Sequence, residues 1–286
     1  MKDNFYICKG YKVKFFNKKK IILFHTPKCA GTSICNILSK LISNSFRVLG
    51  PLTPLSGFKA QKPQLTAEEN FKNNKNLILK KNNFIYGHFS INLLKYFPKR
   101  LSIAVLRDPI ERSISHYNFQ IERSSIRKDS NIQMCYEKGF IPDNIITRQF
   151  CGNFYKKTLD QNDYKCALDN LNFKIDLIFD VTNSKDLINS IISEYNLPNV
   201  IFQKQQITKK NSFKNTEENI SIIKNYNFFD INLYNHLKEN NLFFSKPRDT
   251  TQRNHSQTLF WPQNYKNYKN EFFFLNTLEA DKLIKN

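Results

Sequence analysis

Two short segments of this chain hold the residue types that bind anions. Thr26–Ser33 reads TPKCAGTS. A tight turn around Gly31 followed by a helix N-terminus makes a cradle for phosphate or sulfate. Its N–H groups point at the anion and the helix dipole favours the charge. Thr32 and Ser33 can add hydroxyl donors, and Lys28 adds a point charge beside the same anion. The candidate cradle is therefore the run Pro27, Lys28, Cys29, Ala30, Gly31, Thr32 and Ser33. It is not the nucleoside-triphosphate loop in which Lys follows the last Gly and a magnesium-binding Ser or Thr comes next. Here Lys28 precedes Gly31, which disfavours kinase or ATPase chemistry. The plain alternative is an ordinary strand-to-helix turn with a capping Thr or Ser.

The second segment, Leu106–Phe119, reads LRDPIERSISHYNF. Arg107 sits at the end of a strand, and Ser115 lies about two turns into the helix that follows. An arginine fork and a hydroxyl at that spacing can hold one phosphate together. Arg112 is expected to face solvent or to pair with Glu111 or Asp108. The alternative for this segment is an Arg–Asp pair that only fixes the turn. Among the five histidines, His88 stands in YGHFS, beside Gly87, which allows close approach of backbone or substrate. A histidine titrates near neutral pH and can take a proton from a hydroxyl; the plain alternative is a histidine packed at a strand end. His25 is an alternative base that fits better as packing under the first turn; His116 fits a structural role.

These residues need strand ends to hold them. KIILFH (20–25), FIYG (84–87), LSIAVL (101–106) and IDLIFDV (175–181) read as buried strands. Helices are expected from Thr32 to Ser43, directly after Asp108, and at 143–151, 160–171, 184–195 and 216–240. Asp108 suits the N-cap, Pro109 the first turn, and Glu111 a capping box. Gly152 suits a C-cap. Strands alternating with helices indicate an α/β fold with a mainly parallel central sheet flanked by helices. In such sheets ligands bind at the carboxyl ends of the strands.

The chain has 286 residues, 40% hydrophobic and 14% aromatic, which excludes wholesale disorder. Lys and Arg total 44 against 24 acidic residues, a net charge of +20, so a polyanionic partner is one expectation. Overall enrichment in Lys, Asn, Ile and Phe accounts for part of that charge. The lysines are spread along the chain with no nucleic-acid-binding signature, so no specific nucleic acid is expected. The six cysteines form no CxxC pair and no metal-ligand spacing, which suggests free, mostly buried thiols and no metal. No signal core or spanning apolar run is present, so the expectation is a soluble cytoplasmic protein without a transmembrane segment.

TPKCAGTS resembles the 5′-phosphosulfate loop of sulfotransferases, and LRDPIERSISHYNF resembles their 3′-phosphate motif. The resemblance is closest to the carbohydrate sulfotransferase branch that includes heparan sulfate 2-O-sulfotransferase and the chondroitin and dermatan enzymes. TRQFCG (147–152), ALDNL (167–171) and DINLYNHLK (230–238) resemble recurrent segments of that branch in the same order. The resemblance implies a P-loop-like three-layer fold over residues 1–242, with a variable loop at 50–76 and an extension at 243–286. It implies the cofactor 3′-phosphoadenosine-5′-phosphosulfate, bound by the first turn, by Arg107 and Ser115, and by Lys209 and Lys210 in QITKKN (206–211), which resembles a basic closing loop. It implies that His88 is the general base and Lys28 the residue that stabilises the leaving phosphate. No metal is needed. A carbohydrate acceptor follows, and the basic charge favours an acidic one. Cys29 departs from the Thr more frequent at its place, and FDVTN lacks the Glu carried there by many members. A small-molecule or nucleotide kinase and a non-catalytic glycan-binding relative are the remaining alternatives. The first predicts a Lys directly after the last loop glycine, where Thr32 stands.

Overall fold

The computed structural model describes residues 6–7, 20–42, 45–48, 72–73, 75–76, 78, 82–154, 156–195, 197, 199–201, 213–243, 258–260 and 273–275. The strands are β1 (Tyr6–Ile7), β2 (Lys20–His25), β3 (Ser45–Val48), β4 (Phe84–Gly87), β5 (Arg100–Leu106), β6 (Leu177–Asp180), β7 (Asn199–Ile201), β8 (Thr258–Phe260) and β9 (Phe273–Leu275). The helices are α1 (Gly31–Leu41), α2 (Pro109–Glu122), α3 (Ile132–Glu137), α4 (Ile145–Cys151), α5 (Gln161–Lys174), α6 (Ser184–Tyr195), α7 (Glu217–Tyr226) and α8 (Phe228–Glu239).

Five strands form a wholly parallel sheet in the order β3-β4-β2-β5-β6. Its strands are near-continuous apolar runs because helices cover both faces. Ile22 and Phe24 of β2 join Ala104 and Leu106 of β5 in a core with the short helix Ile91–Tyr96 and with α4, α5 and α8. Ile21, Leu23, Ile103 and Val105 point the other way and pack on α1 and α6. This is the expected three-layer α/β fold. A third apolar cluster joins α2, α3 and α7 through Tyr117, Cys135, Tyr136 and Ile223. Strands β1, β9, β8 and β7 form a second, mixed sheet.

The expected strand and helix positions hold closely for β2, β4, β5, α4, α5 and α6. Asp108 caps α2 as expected, accepting from the N–H groups of Ile110 and Glu111, both at 2.9 Å. Glu111 does not close a capping box; its carboxylate turns to Arg107 instead. The single helix expected over 216–240 is two helices, broken at Asn227. Asn227 is fully buried, and its amide bonds Arg112, Tyr136 and the Ile223 carbonyl, which a through-going helix would not place together. Within the expected loop at 50–76, residues 72–73 and 75–76 are helical, a departure from the expectation; the rest of that segment and most of the tail beyond 243 lie outside the described residues.

The break at Asn227 also sets the start of α8 against the start of α4, and the two helices cap each other. Asn144 Oδ1 accepts from the N–H groups of Phe229 and Asp230 (3.0 and 3.2 Å). In return the Asp230 carboxylate accepts from Ile146 N (3.0 Å), Thr147 N (2.7 Å) and Thr147 Oγ1 (2.8 Å). First-turn N–H groups have no partner within their own helix, so a buried helix start needs acceptors from elsewhere. Asp230 is fully buried, and Asp230→Ala would strand two buried N–H groups. We expect a loss of about 3 kcal/mol, since each unpaired buried donor costs roughly 1–3 kcal/mol. A urea titration should show a lower midpoint at an unchanged slope.

Candidate active site

The site lies at the carboxyl ends of β2, β4 and β5, the three central strands. After His25 the chain enters the turn Thr26–Ala30 and then α1. Lys28 (φ 65°) and Ala30 (φ 51°) both take the left-handed conformation that L-residues adopt at a cost. Strain of this kind persists where surrounding contacts hold it, and here they do. Thr26 is fully buried and donates its hydroxyl to Gln149 Oε1 at 2.6 Å. Cys29 N–H donates to the Thr26 carbonyl (3.3 Å), and Ser33 N–H to the Ala30 carbonyl (3.1 Å). Ala30 supplies no side-chain cap and the first turn of α1 has no acidic residue. The N–H groups that open α1, at Gly31 and Thr32, are thus left for an anion or water. Ser33 is buried. The side chain of Thr32 lies outside the described residues, as do Lys209 and Lys210.

Cys29 is fully buried, its thiol pushed up to about 12, chiefly by burial, so it stays protonated and is not a nucleophile. Lys28 is half-buried. Burial is the largest cause that lowers its pKa; Arg107 and Arg123 lower it further, and Glu122 acts the other way. Its ammonium lies 4.2 Å from the centroid of the Phe119 ring. Arg107 forks onto one oxygen of Glu111 (Nε and Nη2 both 3.2 Å), and its Nη1 lies 3.5 Å from the Lys28 carbonyl. Both ends of one face of α2 therefore touch Lys28, Glu111 through Arg107 and Phe119 directly. Ser115, midway between them at four-residue steps, shares that face.

Arg112 is not on the surface and pairs with neither Glu111 nor Asp108. It is fully buried, donating through Nη2 to Ser113 Oγ, the Pro142 carbonyl and Asn227 Oδ1. Position 112 follows Glu111 by about 100° around α2, which turns Arg112 inward beside the site face, toward Asn227 at the break between α7 and α8. His116 is buried and accepts from the Gln120 amide at Nε2 (3.1 Å). Burial, then the Arg112, Lys28 and His88 charges, hold its pKa at about 3, so it is neutral at any working pH.

The register of β2 on β4, Phe24 opposite Gly87, brings His25 beside His88. Their ring centroids are 4.4 Å apart. His88 Nδ1 lies 2.6 Å from the His25 carbonyl, which can only accept, so Nδ1 carries the proton and Nε2 is the basic nitrogen of the neutral ring. Gly87 has φ 152°, a backbone that a side chain would strain, and it aims His88 out of the strand end. His25 is buried against the start of α1, as the sequence suggested. A Cβ on Gly31 would come 1.9 Å from its ring.

Sequence reasoning missed Phe119, Arg123 and Gln149. Phe119 carries two cations, Lys28 and the Arg123 guanidinium, whose carbon is 4.6 Å from the ring centroid. Gln149 joins the two halves of the site: Oε1 takes the Thr26 hydroxyl and Nε2 donates to the Phe89 carbonyl at 3.0 Å, next to His88. The only sequence signal for Gln149 was its place in TRQFCG.

Residues 11–257 match the family model described as "Sulfotransferase family". The chain belongs to the sulfotransferase family. Among solved structures it is similar to the crystal structure of a sulfotransferase from Alicyclobacillus acidocaldarius. That match has 12% identity, covers 78% of this chain and 97% of the other, and has a TM-score of 0.44. No curated protein matches the chain. In this sulfotransferase-family chain no helix of the described residues is long and apolar enough to cross a membrane.

Gly31→Ala tests how tightly the turn is tied to the histidine pair. The added methyl overlaps the His25 ring, so the ring must move and the stack on His88 with it. The expected result is a loss of about 1–3 kcal/mol, the usual range for overpacking, read by thermal melting. Shifted His25 and His88 ring resonances should accompany it.

Proposed function

We propose that this protein transfers a sulfuryl group from 3′-phosphoadenosine-5′-phosphosulfate to a hydroxyl of a carbohydrate acceptor, by in-line transfer with His88 as general base. The observation that carries the reading is the meeting of an uncapped α1 N-terminus, Lys28, Arg107 and His88 at adjoining strand ends. This donor set fits a ligand with separated anionic groups. The turn offers amide donors with no acidic neighbour in the first turn of α1, and Arg107 and Ser115 lie on the α2 side, where a second phosphate would sit.

Lys28 and the amides of Gly31 and Thr32 would hold the 5′-phosphosulfate. Arg107 and Ser115 would hold the 3′-phosphate, which takes the Arg107 fork from Glu111. That exchange costs little, because a solvent-exposed ion pair is worth roughly 0–1 kcal/mol. Lys209 and Lys210 are assigned to the closing loop. When bound, the nucleotide supplies an activated sulfuryl group on a phosphate leaving group. His88 Nε2 accepts the proton of the acceptor hydroxyl, while the His25 carbonyl fixes the ring through Nδ1 and stabilises the imidazolium that forms. Lys28 places a positive charge where the leaving oxygen gains negative charge, and partial burial strengthens that effect.

The first test is calorimetric titration with 3′,5′-bisphosphoadenosine, with 5′-AMP and ATP as controls and no magnesium. Binding that requires the 3′-phosphate and weakens about tenfold or more in Arg107→Ala is expected, since a charge-assisted contact is worth about 1.5–3 kcal/mol. Equal affinity for all three nucleotides defeats the reading.

The catalytic roles have their own outcomes, measured as bisphosphoadenosine release with a polysaccharide acceptor. His88→Ala should lower turnover by about 10²–10⁴-fold, the usual share of a general base, with nucleotide affinity retained. Lys28 acts in its charged form, and its pKa lies below the ordinary 10.5. The rate kcat/KM should therefore fall on the alkaline side at a pH below that value. Lys28→Arg should move the fall upward, since a guanidinium stays protonated. An alkaline limb that Lys28→Arg leaves unmoved removes Lys28 from the mechanism.

A further inference from the structure

We propose that Phe119 is a positioning residue for Lys28: its ring face fixes the ammonium over the anion-binding turn, and Arg123 holds the ring. The inference rests on the donor reading above for its functional consequence, and on geometry for the contact itself.

Lys28 stands on a left-handed residue in a turn with no helical neighbours of its own. A lysine has four rotatable bonds, so without support its ammonium would sample many positions. Its carboxylate neighbour Glu122 acts on it electrostatically, and no ion pair to Lys28 is present among the described residues. The close partner is the Phe119 ring, 4.2 Å from Nζ. A ring attracts a cation at its face without taking up its charge or its hydrogen-bond donors. A carboxylate would do the opposite, neutralising the charge that an anion needs. The ring is restrained in turn. The Arg123 guanidinium lies 4.6 Å from its centroid and the His116 ring meets it near edge-on at 6.2 Å and 82°. Arg123 is exposed, and no ion pair among the described residues draws it away from the ring. Phe119 is four residues beyond Ser115 on the same face of α2, which ties the position of Lys28 to the helix that would hold the 3′-phosphate.

Two measurements test this. In the wild-type protein the side-chain methylene protons of Lys28, assigned by their loss in Lys28→Ala, should be shifted upfield by the ring current. The shift should vanish in Phe119→Leu, which keeps bulk, and persist in Phe119→Tyr, which keeps the ring. The wild-type shift needs no variant at position 119 to fold, and an ordinary Lys28 position in the wild type overturns the proposal. The second measurement is a cycle of 3′,5′-bisphosphoadenosine affinities over Phe119→Leu, Lys28→Ala and the double variant. Phe119→Leu should weaken binding about two- to thirtyfold alone, the range of a cation–ring contact, and by less than about twofold in the Lys28→Ala background. Phe119→Tyr should restore affinity. An equal penalty in both backgrounds means that Phe119 acts without Lys28, and overturns the proposal. If the wild type does not bind the nucleotide, the donor reading falls, and the Lys28 resonance alone decides the contact.

Discussion

The side-chain amide of Gln149 is the interaction on which the site depends. It is fully buried between the ends of β2 and β4, and it has one acceptor and one donor end. The acceptor end takes the Thr26 hydroxyl at the head of the turn before α1; the donor end holds the Phe89 carbonyl beside His88. One rigid planar group thus ties the turn that opens α1 to the segment that carries His88. The proposed in-line transfer requires those two to be fixed relative to each other, because small misplacements of reacting groups cost large factors in rate. Gln149 is itself placed by α4, and α4 is placed by its exchange of caps with α8 through Asn144 and Asp230. Burial makes the chain of contacts stringent, since a buried polar group that loses its partner cannot turn to water.

Around that frame the site collects positive charge and leaves most of it uncompensated. Lys28, Arg107 and Arg123 lie near one another, and Arg112 lies buried beneath the turn, in electrostatic range of Cys29. Of the four, only Arg107 has an ion pair among the described residues, with the exposed Glu111. Two of the buried Arg112 nitrogens, Nε and Nη1, have no hydrogen-bond partner. Cations held together in this way destabilise one another, which a structural role alone would not favour; burial first, and then the Arg107 and Arg123 charges, depress the Lys28 pKa. They raise the potential at the turn, which an anionic donor would exploit. The Phe119 ring fits the same pattern, steadying Lys28 without cancelling its charge.

The histidine pair shows how register does chemical work. A one-residue slip of β4 on β2 would turn His88 to the opposite face of the sheet and separate it from the His25 carbonyl. The observed register, Ile21 opposite Phe84 through Phe24 opposite Gly87, is what sets His88 beside His25. In that register the His25 carbonyl engages His88 Nδ1, which leaves Nε2 as the basic nitrogen of the neutral ring.

The sequence by itself determined the local features. The strands KIILFH, FIYG and LSIAVL, the Asp108 cap, the Gly152 stop and the two anion-binding segments are all set by near-neighbour chemistry: side-chain period, capping and backbone freedom. Residue spacing also put Lys28 and Arg107 at strand ends, and the family resemblance singled out His88 as the candidate base. What only the tertiary structure decided is every pairing across the fold. The burial of Arg112, the break of α7 from α8 at Asn227, the Gln149 bridge, the stack of His25 on His88 and the cation–ring contact of Lys28 with Phe119 each join residues on different elements. A buried hydrogen bond or ring contact depends on where two distant backbones meet, and local propensity holds no record of that meeting.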